Sequence, residues 1–262
     1  MKLTVQHSTS YRYAEQVARS TQYIRLTPRD SARQKVIDWR VDLPAPGIML
    51  DDAFGNRTHL LTLSRLHDSI TMVATGSVEL AEVDDGEPAD RLDPRIFLRE
   101  TTLTTADEAV REFCEPMRKL VGSRPVIGVS DLMAAVVDRV PMTDGHAESQ
   151  MKASEVLAAA GGHRQDRTHL FLASCRALGL PARYASGYGC AADMTSLASR
   201  AWAEVWLSQR WVSFQAANPG QSDAGLVRLS IGLDGRDAAP VRGVRLGGGE
   251  EAMSASAFVK RA

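Results

Sequence analysis

The first third of the chain alternates apolar and polar positions. In "VIDWRVDL", Ile37, Trp39, Val41 and Leu43 fall on one side and Asp38, Arg40 and Asp42 on the other, the period of a strand with one buried face. "YIRLTPR" and "SITMVATGSVEL" read the same way, and "FGN" at 54–56 supplies turn residues between strands. Beyond residue 100 the period becomes helical. Thr105 and Glu108 have the spacing of a capping box and predict a helix that Pro116 kinks or ends. A second helix is expected from near Ser130 through "SDLMAAVVDRV", and a third through "KASEVLAAA" to a stop at Gly161-Gly162. A fourth begins at His163-Arg164. Its apolar residues Leu170, Phe171, Leu172, Ala173, Cys175 and Leu178 occupy nearly every side, so it is expected to be central and buried until Gly179 and Pro181 end it.

Strands follow. "RYASGY" is one, and "RAWAEVWL" puts Arg200, Trp202, Glu204 and Trp206 on one face and Ala201, Ala203, Val205 and Leu207 on the other. A short "SQR" turn leads into "WVSFQAAN", which sets Gln215 opposite Arg200 or about one register step away. The segment "AEVDDGEPADRLDPR" (81–95) is acidic, holds two prolines and reads as a solvated connection. The expected fold class is α+β. It has an antiparallel β domain over 1–80, a linker over 81–100 and a core domain over 101–262 with a main helix packed on an antiparallel sheet.

Composition narrows the partners. A net charge of −1 over 262 residues argues against a nucleic-acid binder, which would carry a basic excess. No run of ~18 apolar residues reads as a membrane span, and "MKLTVQHSTSYRY" lacks the apolar stretch of a signal peptide. Cys114, Cys175 and Cys190 show no disulfide pattern, so a reduced, cytoplasmic protein is expected.

Four stretches, "GHRQDRTH", "CRALGLPARYASGY", "SRAWAEV" and "FQAAN", resemble the bacterial transglutaminase-like family. "RLTPR", "DAFGN" and "IGLDGRDAAPVRGV" resemble its regions on either side. The resemblance implies a papain-like core of the cysteine protease superfamily. A nucleophilic cysteine would open the helix, a histidine would stand on the following strand, and an aspartate would orient it. This chain has Arg164, Arg200 and Gln215 at those places. Gly162, Asp166, His169, Trp202, Glu204 and Asn218 keep the family's residues, and the implied role of those around the site is structural.

Guanidinium is neither a nucleophile nor a proton acceptor at accessible pH. Cys175 lies in the buried helix, Cys190 has no histidine placed to activate it, and His146 reads as a loop residue. His163, Asp166 and His169 recur every three residues, a spacing that drifts by ~60° per step around a helix, so no metal site and no cofactor are expected. Arg164 and Arg200 are the informative pair. Two guanidinium groups ~7 Å apart at an effective dielectric of ~20 repel by about 2.4 kcal/mol, and the helix dipole adds to this. Either an acid such as Asp166 neutralises them, they reach out to water, or an anion binds there. In the last case Arg164, Arg200, His163, Gln215 and Trp202 would form an anion-binding pocket for a small molecule or peptide carboxylate. Three functions are therefore weighed. One is a pseudoenzyme that binds such a ligand or a partner protein; another is a hydrolase or acyltransferase with rearranged residues. The third is a structural subunit paired with an active paralogue. The resemblance adds ATP-grasp, amide-ligase-like proteins as partners.

Overall fold

Strand β1 (Lys2–Ile24) organises the first sheet. Leu3, Val5, His7 and Thr9 are buried while Lys2, Thr4 and Gln6 are exposed, so one face is committed to a core. The computed structural model describes residues 1–81, 86–143, 151–159, 161–189, 199–216 and 225–261. After β1 come β2 (Gln34–Asp42), β3 (Ile48–Asp51), β4 (Arg57–Leu63) and β5 (His67–Leu80), in the order β2-β5-β1-β4-β3. The first half of β1 pairs with β5 and the second half with β4, both antiparallel. Gly55 takes a φ of 77° in the "FGN" turn, a conformation glycine adopts without Cβ strain.

Among the described residues five α-helices come next: α1 (Glu108–Cys114), α2 (Arg118–Ser123), α3 (Pro125–Arg139), α4 (Ala153–Ala159) and α5 (Arg164–Ala177). Pro116 falls in a short 3-10 turn that separates α1 from α2. The cap of α1 is Asp107, whose carboxylate accepts from the Val110 N–H at 3.0 Å. Thr105, the expected cap, instead donates its hydroxyl to the Thr101 carbonyl at 2.8 Å. The start of α3 lies at Pro125 rather than near Ser130, because proline at the first turn loses no needed N–H.

A second sheet, β6 (Ala182–Gly189), β7 (Ser199–Leu207), β8 (Arg210–Phe214) and β9 (Leu226–Gly232), has the order β8-β7-β6-β9. Ser208 and Gln209 both have positive φ in a tight two-residue turn, which sets the β7–β8 register from Leu207↔Arg210 to Ala203↔Phe214. Ala203, Val205 and Leu207 pack with Leu170, Phe171 and Leu172 of α5 in one core. On the opposite face Trp202 joins Phe97, Ala185 and Trp211 in another.

The expected core boundary of 101–262 changes at its end. β10 (Val241–Gly247) and β11 (Glu251–Arg261) return to the first sheet, where both pair antiparallel with β1. Local sequence does not name the partner of a strand; the open edge of β1 decides it. The acidic linker also changes. Glu87 is buried, exchanges backbone bonds with Trp211 at 2.9 and 2.7 Å, and its carboxylate accepts from Arg228 at 2.5 Å. Asp90 accepts from Arg183. Two acids of the segment are thus counter-ions for arginines of the second sheet, far away in sequence.

Inside α5, buried Arg176 gathers segments that are distant in the chain. Its Nε donates to the Phe97 carbonyl at 3.0 Å, Nη2 to the carbonyls of Ala182 at 2.8 Å and Leu233 at 2.6 Å, and Nη1 to the Thr104 hydroxyl at 2.5 Å. Burial lowers its pKa to about 10, still far above neutrality. Two histidines are also buried. His7 bridges the Tyr188 hydroxyl and the Thr9 hydroxyl at 2.6 Å each, and His169 accepts at Nε2 from the Gly235 N–H at 3.0 Å.

Replacing Arg176 with methionine leaves three carbonyls and a hydroxyl without their donor, so urea denaturation is expected to show a loss of about 3 kcal/mol or more. Arg118→Met, which breaks an exposed pair with Glu115 and one long, exposed bond to the Ala177 carbonyl at 3.5 Å, is expected to change stability by less than about 0.5 kcal/mol. Equal losses in the two variants would refute the assigned role of Arg176. A pH dependence follows from the histidines, whose pKa values burial lowers from 6.5 to about 4. Between those values the unfolded chain binds protons that the folded chain does not. Their contribution is therefore complete above pH 6.5 and lost as pH falls toward 4, by about 3 kcal/mol per histidine. Denaturation midpoints measured from about pH 7.5 to about 4.5 are expected to fall accordingly, and His169→Gln should flatten the slope in part, the remainder staying with His7 and with His59, whose pKa partial burial and Arg57 also lower. An unchanged slope in that variant counts against a neutral, buried His169.

Candidate functional site

At the start of α5 the Gly161-Gly162 pair meets the end of α3. The Gly162 N–H donates to the Pro141 carbonyl at 3.2 Å, and the Thr143 N–H donates to the Gly162 carbonyl at 3.1 Å. A Cβ on Gly162 would stand 3.2 Å from the Asp166 side chain, which leaves little room for any other residue. Asp166 is buried, and its two oxygens accept from the His163 N–H at 2.9 Å and the Met151 N–H at 3.1 Å. It therefore fixes the turn into the helix and the neighbouring 151 segment together. His163, in extended backbone, precedes the first helical residue, Arg164.

Arg164 is exposed, and among the described residues it has no carboxylate partner. Asp166, the acid expected to neutralise it, is occupied by backbone donors. Because the guanidinium stands in solvent, the repulsion expected at an interior dielectric is largely screened. Arg200 opens β7, half-buried, with its Cγ only 2.8 Å from where a Cβ of Gly189 would lie. Gln215, also half-buried, follows the last residue of β8. Continuing the β7–β8 register puts Gln215 beside Trp202, two positions from Arg200 rather than opposite it.

What holds these segments together is a residue that sequence reading passed over. Arg167 is buried one turn below Arg164, and its guanidinium donates to the carbonyls of Val140 at 2.6 Å and Ala216 at 3.1 Å. The second bond ties the first turns of α5 to the residue next to Gln215. Phe171 against Phe214, with ring centroids 5.6 Å apart, repeats the tie one turn further on. The helix start, the beginning of β7 and the end of β8 thus share one end of the second sheet. An arginine one turn after a glycine-rich helix start is the signal that could have been read, but its carbonyl partners could not.

The residues retained around this end are engaged structurally. His169 packs its ring on Tyr184 at 5.4 Å, and its Nδ1 is buried without a partner. Trp202, expected beside a ligand, is 2% exposed and donates its indole N–H to Glu204 at 3.1 Å. Residues 86–98 and Trp211 cover that face, so Trp202 belongs to the core and not to an open wall. Glu204 is buried between Arg183 at 2.7 Å and Arg228 at 3.1 Å. Burial alone would raise its pKa, but the two guanidinium groups hold it down to about 2. Arg183 in turn lies 4.0 Å from the Trp211 ring. Cys114 and Cys175 are buried, and burial pushes both thiols above their ordinary pKa, the reverse of what a nucleophilic thiol needs. Asn218, Cys190 and His146 lie outside the described residues. Among the described residues no three His, Cys, Asp or Glu side chains are grouped to hold a metal ion, and no helix is long and apolar enough to cross a membrane.

Residues 3–79 match the bacterial transglutaminase-like N-terminal region, and residues 122–216 match the transglutaminase-like superfamily. An uncharacterised protein of Mycobacterium tuberculosis is 28% identical over 273 residues, covering 92% of this chain and 86% of that protein. One from Mycobacterium leprae is 27% identical over 269 residues, covering 95% and 94%. The crystal structure of a candidate cysteine protease from Cytophaga hutchinsonii superposes with a TM-score of 0.78 at 20% identity, covering 99% of this chain and 90% of that one. At that identity the likeness speaks for the fold. Residues 122–216 are thus those of the transglutaminase-like superfamily, with the bacterial transglutaminase-like N-terminal region ahead of them at residues 3–79.

Proposed function

We propose that this protein is a catalytically silent member of its superfamily that binds an anion at the start of α5. The ligand would be a small carboxylate, a phosphate or a peptide terminus. The observation that carries the reading is Arg164. An exposed guanidinium without a carboxylate partner among the described residues occupies the first turn of a helix. That is where the partial positive charge and unpaired N–H groups already favour an anion. Arg200 and Gln215, at the same end of the sheet, supply a second cation and an amide. No chemistry of attack is available from these groups. Arginine does not lose its proton to become a nucleophile or base, and a glutamine cannot orient an imidazolium as a carboxylate does. The two described cysteines are buried with raised pKa values, which supports the same reading.

The purified protein is expected to neither hydrolyse nor cross-link generic amide substrates, and iodoacetamide should not alter its function. The triple variant Arg164→Cys, Arg200→His, Gln215→Asp is expected to fold. Its thiol at the helix start should titrate below the ordinary cysteine value of about 8.5. Amidase activity in the parent that iodoacetamide or Cys190→Ala removes would replace this reading with a hydrolase. An ordinary thiol pKa in the triple variant would separate positions 164 and 200.

Ligand binding is read by thermal shift. Sulfate, phosphate and small dicarboxylates should stabilise the parent as RT ln(1 + [L]/Kd), about 2.7 kcal/mol at a hundredfold excess over Kd, with the gain shrinking as competing salt rises. Arg164→Ala should remove the anion-specific part and, because Arg164 is exposed, leave the ligand-free protein within about 0.5 kcal/mol of the parent. No anion-specific shift in the parent would end the proposal.

A further inference from the structure

A groove of about 1440 Å³ lies away from the α5 start, between the first sheet and the 87–92 segment. One wall is β2, and six consecutive residues of it, 36–41, line the groove. Consecutive lining residues mean that the strand presents its edge, since a face would contribute alternate residues only. That edge is open: β2 ends the order β2-β5-β1-β4-β3 and, among the described residues, pairs only with β5. The Val36 N–H is taken by the Asp30 carboxylate at 2.7 Å. From residue 38 to 42 no group among the described residues pairs with the outward backbone. A bulge between Val36 and Asp38 separates the guarded part of the edge from the open part.

The charges of the groove are unequally committed. Its acids are all engaged within the protein. Asp51 pairs with Arg29 at 2.6 Å, Asp52 with Arg25 at 2.7 Å, Glu87 with Arg228 and Asp90 with Arg183. Asp38 accepts from the Ser77 hydroxyl. By contrast, Arg57 and Arg91 line the groove exposed, with no ion pair among the described residues. Arg57 stands across the β3–β4 ladder from Asp51, which Arg29 already holds. Exposed Ile37 and Met49 add apolar surface.

We propose that this groove binds an extended acidic segment of a partner protein, which adds as a strand to the free edge of β2. Main-chain bonds to residues 38–42 supply the register. Alternate apolar side chains rest on Ile37 and Met49, and a carboxylate of the segment meets Arg57 or Arg91. The volume exceeds that of a typical small-molecule pocket, and six lining residues span roughly 20 Å, the length of a short strand. This site is independent of the anion site at α5.

The test is selection from a phage-displayed random library of peptides of roughly ten residues on the full-length protein. Enriched peptides are expected to be acidic with alternating apolar residues and to slow amide hydrogen exchange at residues 38–42. In the best peptide, N-methylation of alternate amides should abolish binding in one phase and spare it in the other, the signature of strand pairing. Arg57→Gln with Arg91→Gln, both at exposed positions, should weaken that peptide about tenfold or more. The N-methyl arm does not depend on any variant folding. Failure to enrich any peptide overturns the proposal, as do neutral or basic binders, or equal tolerance of both methylation phases. Binding that leaves exchange at 38–42 unchanged overturns it as well.

Discussion

Helix α5 is buried from Asp166 to Arg176, and a helix in that position must find partners inside the protein for every charged group it carries. Arg167 and Arg176 do this with backbone carbonyls, and the carbonyls belong to segments that are far apart. Arg167 reaches the end of α3 and the residues after β8; Arg176 reaches the segment before α1, the start of β6 and the end of β9. The bonds that satisfy two buried cations are also the bonds that hold helices, connecting segment and sheet in one arrangement. Loss of either cation would leave several carbonyls dry at once, which couples the parts of the core more tightly than apolar packing does.

A buried carboxylate ties the second sheet to the segment that precedes the helices. Glu204 lies between Arg183 and Arg228, and these arginines draw in Asp90 and Glu87 from the segment that connects the β domain to the helices. A carboxylate with two close guanidinium partners is stable in ionised form despite burial, and its low pKa expresses that balance. Compensation of this kind costs desolvation at each group, so the network serves the registry of the two halves more than their net stability.

Against this dense interior, the α5 start contrasts sharply. Gly162, His163 and Asp166 hold the turn through hydrogen bonds that do not involve the side chain at 164. That side chain points to solvent. An arginine there disturbs no packing and breaks no buried bond, so the fold does not depend on the side chain at position 164.

Much of this was legible before any coordinates. Alternation in "VIDWRVDL" and "RAWAEVWL", the all-round apolar helix ending at Gly179, and the residues at positions 164, 200 and 215 are local properties, set by periodicity and by side-chain chemistry. Sequence alone therefore determined the element types, the centrality of α5 and the absence of a thiol, an imidazole and a carboxylate from those three positions. Tertiary structure decided what required a partner distant in the chain. The C-terminal strands close the first sheet because β1 offers an edge; Glu87 leaves solvent because Arg228 needs a counter-ion, and Asp90, still exposed, is drawn to Arg183. Trp202 turns into the core because Phe97 and Trp211 cover its face. Local patterns record how a residue prefers to sit, whereas hydrogen-bond and charge satisfaction depend on which distant groups the completed fold brings within reach.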